Sequence, residues 1–403
     1  MKQTVLVIPG SAAQVPLVLK AKSLGYRVVT INPYEDSPCF ALVDEYRQGD
    51  ILNKDFTLEA MNELHADVVV SDQCDIATDE VSFLSQKLDK PFIPPDVAAL
   101  FRDKSRMREF CFEHGINPIP YRLCHDIEEA KSFYLRLGGG KMIIKPIDSN
   151  SSRGVFTIET LSDIDGCFMQ AMRWSLRDKA VICEKYIDGT EFTVDGIKLP
   201  EREHVCLAIS EKRHFEHNRN IASSLYFSHE NPRFDYVELK KVNDLYVDSS
   251  GLPFGLTHAE YKYEDGKFYL IEIGARGGGN FISSHIVPCM SGIDNMALLI
   301  KMSFGDNLAD TNASIRAGLL QRCAILKFFD FNAGKVSGIA GMELLRNNLH
   351  ILDYKFNFKI GDTIEKPSDD SKRLGYFIAY GDSRTELDRF VMEVDENVKV
   401  IYE

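Results

Sequence analysis

A chain of 403 residues is too long for one ordinary hydrophobic core and predicts two or three domains. Hydrophobic residues at 44% and charged residues at 27% exclude a disordered or fibrous protein. A formal net charge of −13 without a long Lys/Arg run excludes the electrostatic footprint of a nucleic-acid partner, so an anionic substrate would need a local basic pocket.

The nine cysteines are scattered, odd in number and free of any C-x-x-C pair, which speaks against a disulfide framework or a zinc knuckle. Reduced thiols in a cytoplasmic protein are the expectation. No stretch approaches the roughly 18 consecutive apolar residues of a membrane span, so no membrane partner is expected.

In chain order, residues 4 to 8 form an apolar run that ends at Pro9-Gly10-Ser11. A helical pattern follows through Val15, Leu19 and Leu24, closed by Gly25, and then a strand over 27–31, which makes a βαβ unit. A helix at about 57–65, a strand over 67–70, a helix at about 79–88 and a short strand at Phe92-Ile93 complete a parallel α/β domain ending near residue 93. The first turn lacks the second and third glycines of G-x-G-x-x-G, so a dinucleotide-dependent oxidoreductase has little support.

From Pro95 to Gly115 the pattern is helical, with Asp103 and Lys104 inside and Gly115 as its C-cap. A strand over 142–146 carries Lys145 and leads into a polar loop rich in small residues. Read by itself, that is an ordinary hairpin loop. Its backbone N–H groups, the hydroxyls of Ser149, Ser151 and Ser152, the Arg153 guanidinium and the Gly154 backbone are also the groups that fold over phosphates, with Lys145 as a point charge. Residues 181–192 read as a strand, a connector and an acidic restart. The connector backbone could serve an adenine edge while Glu191 accepts from ribose hydroxyls. The plain alternative is a strand ended by an Asp-Gly turn.

Strands at about 192–198 and 204–211 come next, then a mixed polar stretch with His217, Arg219 and Asn220. Lys212, Arg213, His217, Arg219 and His258 are candidates for a basic substrate pocket. Two apolar strands joined by a turn at Glu264-Asp265-Gly266 each contain a carboxylate, Glu260 and Glu272. Brought together they would repel unless a cation lay between them, and oxygen ligands without cysteine suit Mg²⁺ shared with substrate phosphates. From 311 to 403 the chain reads as a small α+β cap, with strands at 319–327, 351–359, 373–379 and 397–402 and helices near 339–348 and 384–394.

Taken in order, Lys104, Lys145-Pro146, the 148–154 loop, Glu184 through Glu191, Glu260 and Glu272-Ile273-Gly274-Ala275-Arg276 resemble the ATP-grasp superfamily of carboxylate-amine ligases. The Glu-Ile-Gly-Ala-Arg-Gly-Gly-Gly run looks closest to the branch of amino-acid ligases and purine-pathway formate and carboxylate enzymes. The resemblance implies an α/β and α+β fold. A parallel pre-ATP-grasp domain over 1–93 precedes an ATP-grasp domain over 94–310 with two α+β subdomains clasping ATP, the lid at about 115–185, and an α+β segment over 311–403.

It further implies that Lys104 and Lys145 meet the ATP phosphates under a lid formed by Ser149, Ser151, Ser152, Arg153 and Gly154. Glu184, Lys185, Tyr186 and Ile187 would line the adenine site, Glu191 the ribose, and Glu260 and Glu272 would hold Mg²⁺, with Mn²⁺ as a substitute. Lys145 and Arg276 would be catalytic, Arg276 contacting the transferred phosphate or a substrate carboxylate.

The implied reaction activates a small carboxylate as an acyl phosphate, releases ADP and passes the acyl group to an amine or a thiol, in a homodimer. The family commonly shows Glu-x-Asn-x-Arg where this chain has Gly274, which removes one expected oxygen ligand and leaves one or two metal ions open. That departure lends some support to the alternative of a non-catalytic or regulatory ATP-binding protein of the same fold, against which the retention of both lysines and both carboxylates argues.

Overall fold

The structure is a computed structural model and describes residues 2–147, 154–175, 179–308, 311, 315 and 318–403. Its first layer is a parallel sheet of β1 (Thr4–Val7), β2 (Arg27–Asn32), β3 (Glu45–Gln48) and β4 (Val68–Val70) in the order β3-β2-β1-β4. β1 is buried at every position, the signature of a strand covered on both faces. α1 (Val15–Ser23), α2 (Lys54–Glu63) and α3 (Thr78–Lys87) provide the connections. β3 escapes the sequence reading because it is an edge strand with polar residues at alternating, half-exposed positions. The strand expected at Phe92-Ile93 is absent; Pro91, Pro94 and Pro95 leave that segment too few N–H donors for a ladder.

The helix expected over 95–115 is two helices, α4 (Pro95–Leu100) and α5 (Lys104–Glu113). Asp103 lies outside rather than inside, because its side chain accepts from the amides of Ser105 and Arg106 and so caps α5. Lys104 thereby becomes the first residue of a helix and points away from the surface, with 4% of its area exposed.

A small antiparallel sheet follows, built from β5 (Tyr121–Cys124), β6 (Met142–Pro146), β7 (Phe156–Ile158) and β8 (Val181–Lys185) in the order β5-β8-β6-β7, with α6 (Ile127–Arg136) and α7 (Ile164–Arg173) packed on it. The central sheet takes β9 (Thr190–Lys198), β10 (Val205–Phe215), β11 (Asn218–Phe227), β12 (Gly255–Glu264) and β13 (Lys267–Gly274). β11 occupies what the sequence offered only as a mixed polar stretch. α8 (Tyr236–Ser249), capped by Asp235, covers one face of this sheet.

The last segment supplies β14 (Cys323–Phe328), β15 (Gly334–Ala340), β16 (Ile351–Phe356), β17 (Thr363–Ile364), β18 (Gly375–Gly381) and β19 (Lys399–Tyr402). It is no separate cap. β14, β18 and β16 continue the central sheet to eight strands, ordered β13-β12-β9-β10-β11-β14-β18-β16, while β17-β15-β19 forms a small second layer. The helix expected at 339–348 is confined to Met342–Arg346, since residues 334–340 are spent on β15.

The sheet side toward α5 and α8 is the core. Phe192, Val194, Ala259, Tyr261 and Ile273 lie there with Tyr246, whose hydroxyl donates to the Leu100 carbonyl at 2.7 Å. Period-two alternation therefore sends Glu191, Thr193, Asp195, His258, Glu260, Glu272 and Gly274 to the opposite face.

Candidate active site

Three rungs of the central sheet order this face. Glu191 on β9 stands between Lys212 on β10 and Lys262 on β12. Two residues on, Thr193 stands between Ser210 and Glu260, and Glu260 pairs directly with Glu272 on β13. Two further on, Asp195 pairs with His258, and His258 with Gly274. Rungs two residues apart are separated by about 7 Å along a strand.

The expected meeting of Glu260 and Glu272 is thus a direct cross-strand pair. Each carboxylate has a cation: Lys104 Nζ is 2.9 Å from Glu272, and Lys212 Nζ is 3.7 Å from Glu260. Lys212 beside it, outweighing burial, holds the Glu260 carboxyl below its ordinary range. Two adjacent carboxylates on a partly open face, met by the ends of two lysines, make a donor set that fits Mg²⁺.

Beyond Glu260 the hairpin carries a bulge, after which Tyr261 pairs with Leu270. Ile271 is left out of the pairing and its carbonyl accepts from Arg108 Nη2 at 2.7 Å. Arg108 projects from α5, four residues beyond Lys104, and reaches Glu184 with Nε at 2.8 Å. Lys145 reaches the other Glu184 oxygen at 2.7 Å. Glu184, 3% exposed, is therefore the anchor of a buried triad rather than an open wall of an adenine pocket. Burial raises its carboxyl, but Arg108 and Lys145 outweigh that and hold it below the ordinary range. Burial, aided by Arg108 and Lys104, pushes Lys145 down to about 8 despite Glu184.

The connector between β8 and β9 is held from outside. Lys185 turns to Glu264 at 2.5 Å, and Glu264 also accepts from the Asp188 amide at 2.7 Å. The amides of Lys185 and Tyr186 donate to the carbonyls of Pro120 and Lys141, and Ile187 is buried. Lys262 Nζ lies over the Tyr186 ring, 4.7 Å from its centroid. Glu191 faces two lysines, Lys212 and Lys262 at 3.2 Å, and the His214 imidazole at 3.4 Å. Burial raises its carboxyl, and these groups carry it well below the ordinary range.

Arg276 is bound by the first domain. Asp75, in the turn after β4, takes Nε at 2.8 Å and Nη2 at 2.9 Å in a bidentate pair. Asp72 accepts from the Gly277 amide at 2.8 Å and from Ser283 Oγ at 2.7 Å. A Cβ on residue 274 would stand 2.7 Å from Asp75 Oδ1. An asparagine in place of Gly274 would press on the carboxylate that holds Arg276, so Asp75 would have to shift to admit it.

Gly154 has a left-handed φ of 75° and packs against Trp174 and Pro146. Ser149, Ser151, Ser152 and Arg153 lie outside the described residues. Of the basic candidates, Lys212 and His258 join the site. Arg213 and Arg219 are exposed instead, and His217 faces the Pro367 carbonyl at 3.3 Å. Asp72, Asp75, Arg108 and Asp195 were not anticipated; the carboxylates just past the end of parallel strand β4 were the available signal for the first two.

A separate group, His204, Cys206 and Asp244, brings metal-type donors together. It is closed by its own contacts, His204 Nδ1 to Asp244 at 2.6 Å and Nε2 to Thr257 at 2.8 Å.

The ATP-grasp domain family matches residues 140–284, and L-amino acid ligase C-terminal domain 2 matches residues 327–403. The chain thus carries an ATP-grasp domain followed by an L-amino acid ligase C-terminal domain. A formate-dependent phosphoribosylglycinamide formyltransferase of Bifidobacterium adolescentis is 26% identical over 38% of this chain and 39% of its own length. Dapdiamide A synthase of Enterobacter agglomerans is 24% identical over 48% of this chain and 47% of its own. The matched segments thus span less than half of these two curated relatives. An L-amino acid ligase from Bacillus licheniformis shares the fold over 100% of both chains, with a TM-score of 0.82 at 19% identity. Among the described residues no helix is long and apolar enough to cross a membrane.

Proposed function

We propose that the protein is an ATP-dependent, ADP-forming ligase that joins a small carboxylate, such as an amino acid, to an amine through an acyl phosphate. The observation that carries this reading is the Glu260–Glu272 pair, set one rung from Glu191 and touched by Lys104. ATP lies along the rungs. Adenine meets the 185–187 connector, ribose meets Glu191, and the phosphates reach Lys104 and Lys145 near the carboxylate pair. Mg²⁺ held by Glu260 and Glu272 supplies charge neutralisation to the phosphates when bound.

The substrate carboxylate attacks the γ-phosphorus and ADP departs, with Lys104 and Lys145 opposing the charge that spreads over the phosphoryl oxygens. The amine then attacks the acyl carbon, and the C–O bond to phosphate breaks. No protein nucleophile is needed, because phosphate is a good leaving group where a carboxylate oxygen is not. Arg276 is already gripped by Asp75. Its remaining N–H groups orient the substrate within the turn that Asp72 fixes. Gly274, the feature that lends support to a non-catalytic reading, lies where Asp75 Oδ1 comes close; both lysines and both carboxylates of the site are kept. A homodimer and a cytoplasmic setting belong to the same reading, the first tested by sedimentation.

The experiment is phosphate release with Mg²⁺-ATP against pooled amino acids and other small carboxylates with amines. Release should require a pool and should be lost in Lys145→Ala. Release independent of any pool, or unaffected in the variant, would contradict the assignment.

A further inference from the structure

Asp195 holds the least explained carboxylate of the site. It is 1% exposed, on the third rung, beyond the Glu260–Glu272 rung and on the far side from Glu191. Oδ1 accepts from the Gly278 amide at 3.0 Å and lies 3.0 Å from His258 Nδ1. Oδ2 is buried and has no hydrogen-bond partner among the described residues. A buried carboxylate oxygen without a donor is costly and rare in folded proteins, and it marks a place where a donor belongs.

The glycine run packs against the other oxygen of this carboxylate. A Cβ on Gly278 would stand 2.6 Å from Asp195 Oδ1 and 2.9 Å from His258 Nδ1, whereas one on Gly279 would meet nothing within 4 Å. The glycine run thus lies against the Asp195–His258 pair at Gly278 and leaves free space at Gly279. Along the sheet the order is ribose carboxylate, metal carboxylates, then Asp195. If ATP follows the first two rungs, the group that attacks the activated carbonyl arrives at the third, about 7 Å past the metal rung.

We propose that Asp195 Oδ2 binds the incoming nucleophile, a primary amine that arrives as an ammonium ion, and takes one proton from it; the freed nitrogen then attacks the acyl carbon, the C–O bond to phosphate breaks, and a second proton leaves with phosphate. The assignment rests on the ligase reading above and names the residue that receives its amine, in place of the thiol that the sequence also allowed. A carboxylate accepts charge-assisted hydrogen bonds from an ammonium group, while a thiol is a weak donor and its reactive thiolate would be repelled. His258 and the Gly278 amide hold Oδ1, so the carboxylate plane is fixed and Oδ2 has one orientation. His258 is a positioning residue in this account.

The test compares wild type with Asp195→Asn, using pooled L-amino acids as carboxylates and amines, and hydroxylamine as a nucleophile that is largely uncharged at neutral pH. The variant keeps the size of the side chain and removes its charge. The KM for the amine should rise at least about tenfold, the loss expected for one charge-assisted hydrogen bond. ATP affinity, measured by titration, should be unchanged, and the loss with hydroxylamine should be smaller than with amino acids. An unchanged amine KM would overturn the assignment. Equal losses with both nucleophiles would overturn it too, since they describe a carboxylate that only supports the loop. Absence of pool-dependent ADP release from wild type would overturn the ligase reading itself, a distinct result from an indifferent Asp195.

Discussion

Lys145 and Glu184 meet where almost no solvent reaches, and Arg108 closes the pair from the other side. A buried ammonium beside two further cations gives up its proton easily, and Lys145 titrates at about 8 instead of its ordinary 10.5. Between those values the unfolded chain binds more protons than the folded one, so this group's contribution to stability rises with pH across the window. Binding runs the other way. Above about pH 8 the lysine loses the charge that the proposed function assigns to phosphate binding, so the Kd for ATP should rise through pH 8 and stay flat in Lys145→Arg, whose guanidinium keeps its proton. Titrations from neutral pH into the alkaline range check this, and a Kd independent of pH would count against Lys145 as a phosphate ligand. Lys145, Glu184, Glu260 and Glu272 were legible in the sequence because each is a charge set inside an apolar run. Arg108 and Asp75 were not, since their partners are 76 and 201 positions away and only the folded chain brings them together.

The β8–β9 connector shows how an element can depend on a single residue. Gly189 has φ 153°, and a Cβ there would stand 2.0 Å from the Tyr263 carbonyl oxygen on β12. Any side chain must therefore push the connector off the central sheet. Gly189→Ala should lower stability by about 1–3 kcal/mol and weaken ATP binding in the same variant, read by thermal melting and by nucleotide titration. A variant that melts and binds like wild type would mean that the connector is not fixed as described. The Glu260–Glu272 hairpin was readable at this scale, because two apolar runs around Glu264-Asp265-Gly266 admit one pairing, and Asp265 and Gly266 adopt the positive φ values of such a turn. The division of α4 from α5 was not, because the helical pattern continues through Asp103 and only its capping bonds reveal the break. β3 and β11 were hidden for a different reason. Their polar residues obscure the alternation that marks a half-buried strand.

At the scale of the whole molecule, the first domain and the last segment both reach the central sheet. Asp72 and Asp75 fix the turn that carries Arg276, and β14, β18 and β16 extend the sheet on its far side. The sequence suggested three successive units. Strand composition shows where strands are, and the order in which they pair across long separations is decided by packing. The proposed reaction turns on one bond, between a carboxylate oxygen and the γ-phosphorus of ATP. It is tested by supplying amino acids labelled with oxygen-18 in the carboxyl group, with Mg²⁺-ATP, and weighing the phosphate released. One labelled oxygen is expected in each phosphate, since that oxygen leaves with phosphorus when the amine displaces it. Pool-dependent phosphate without label would contradict it, because water rather than a carboxylate would then have attacked ATP.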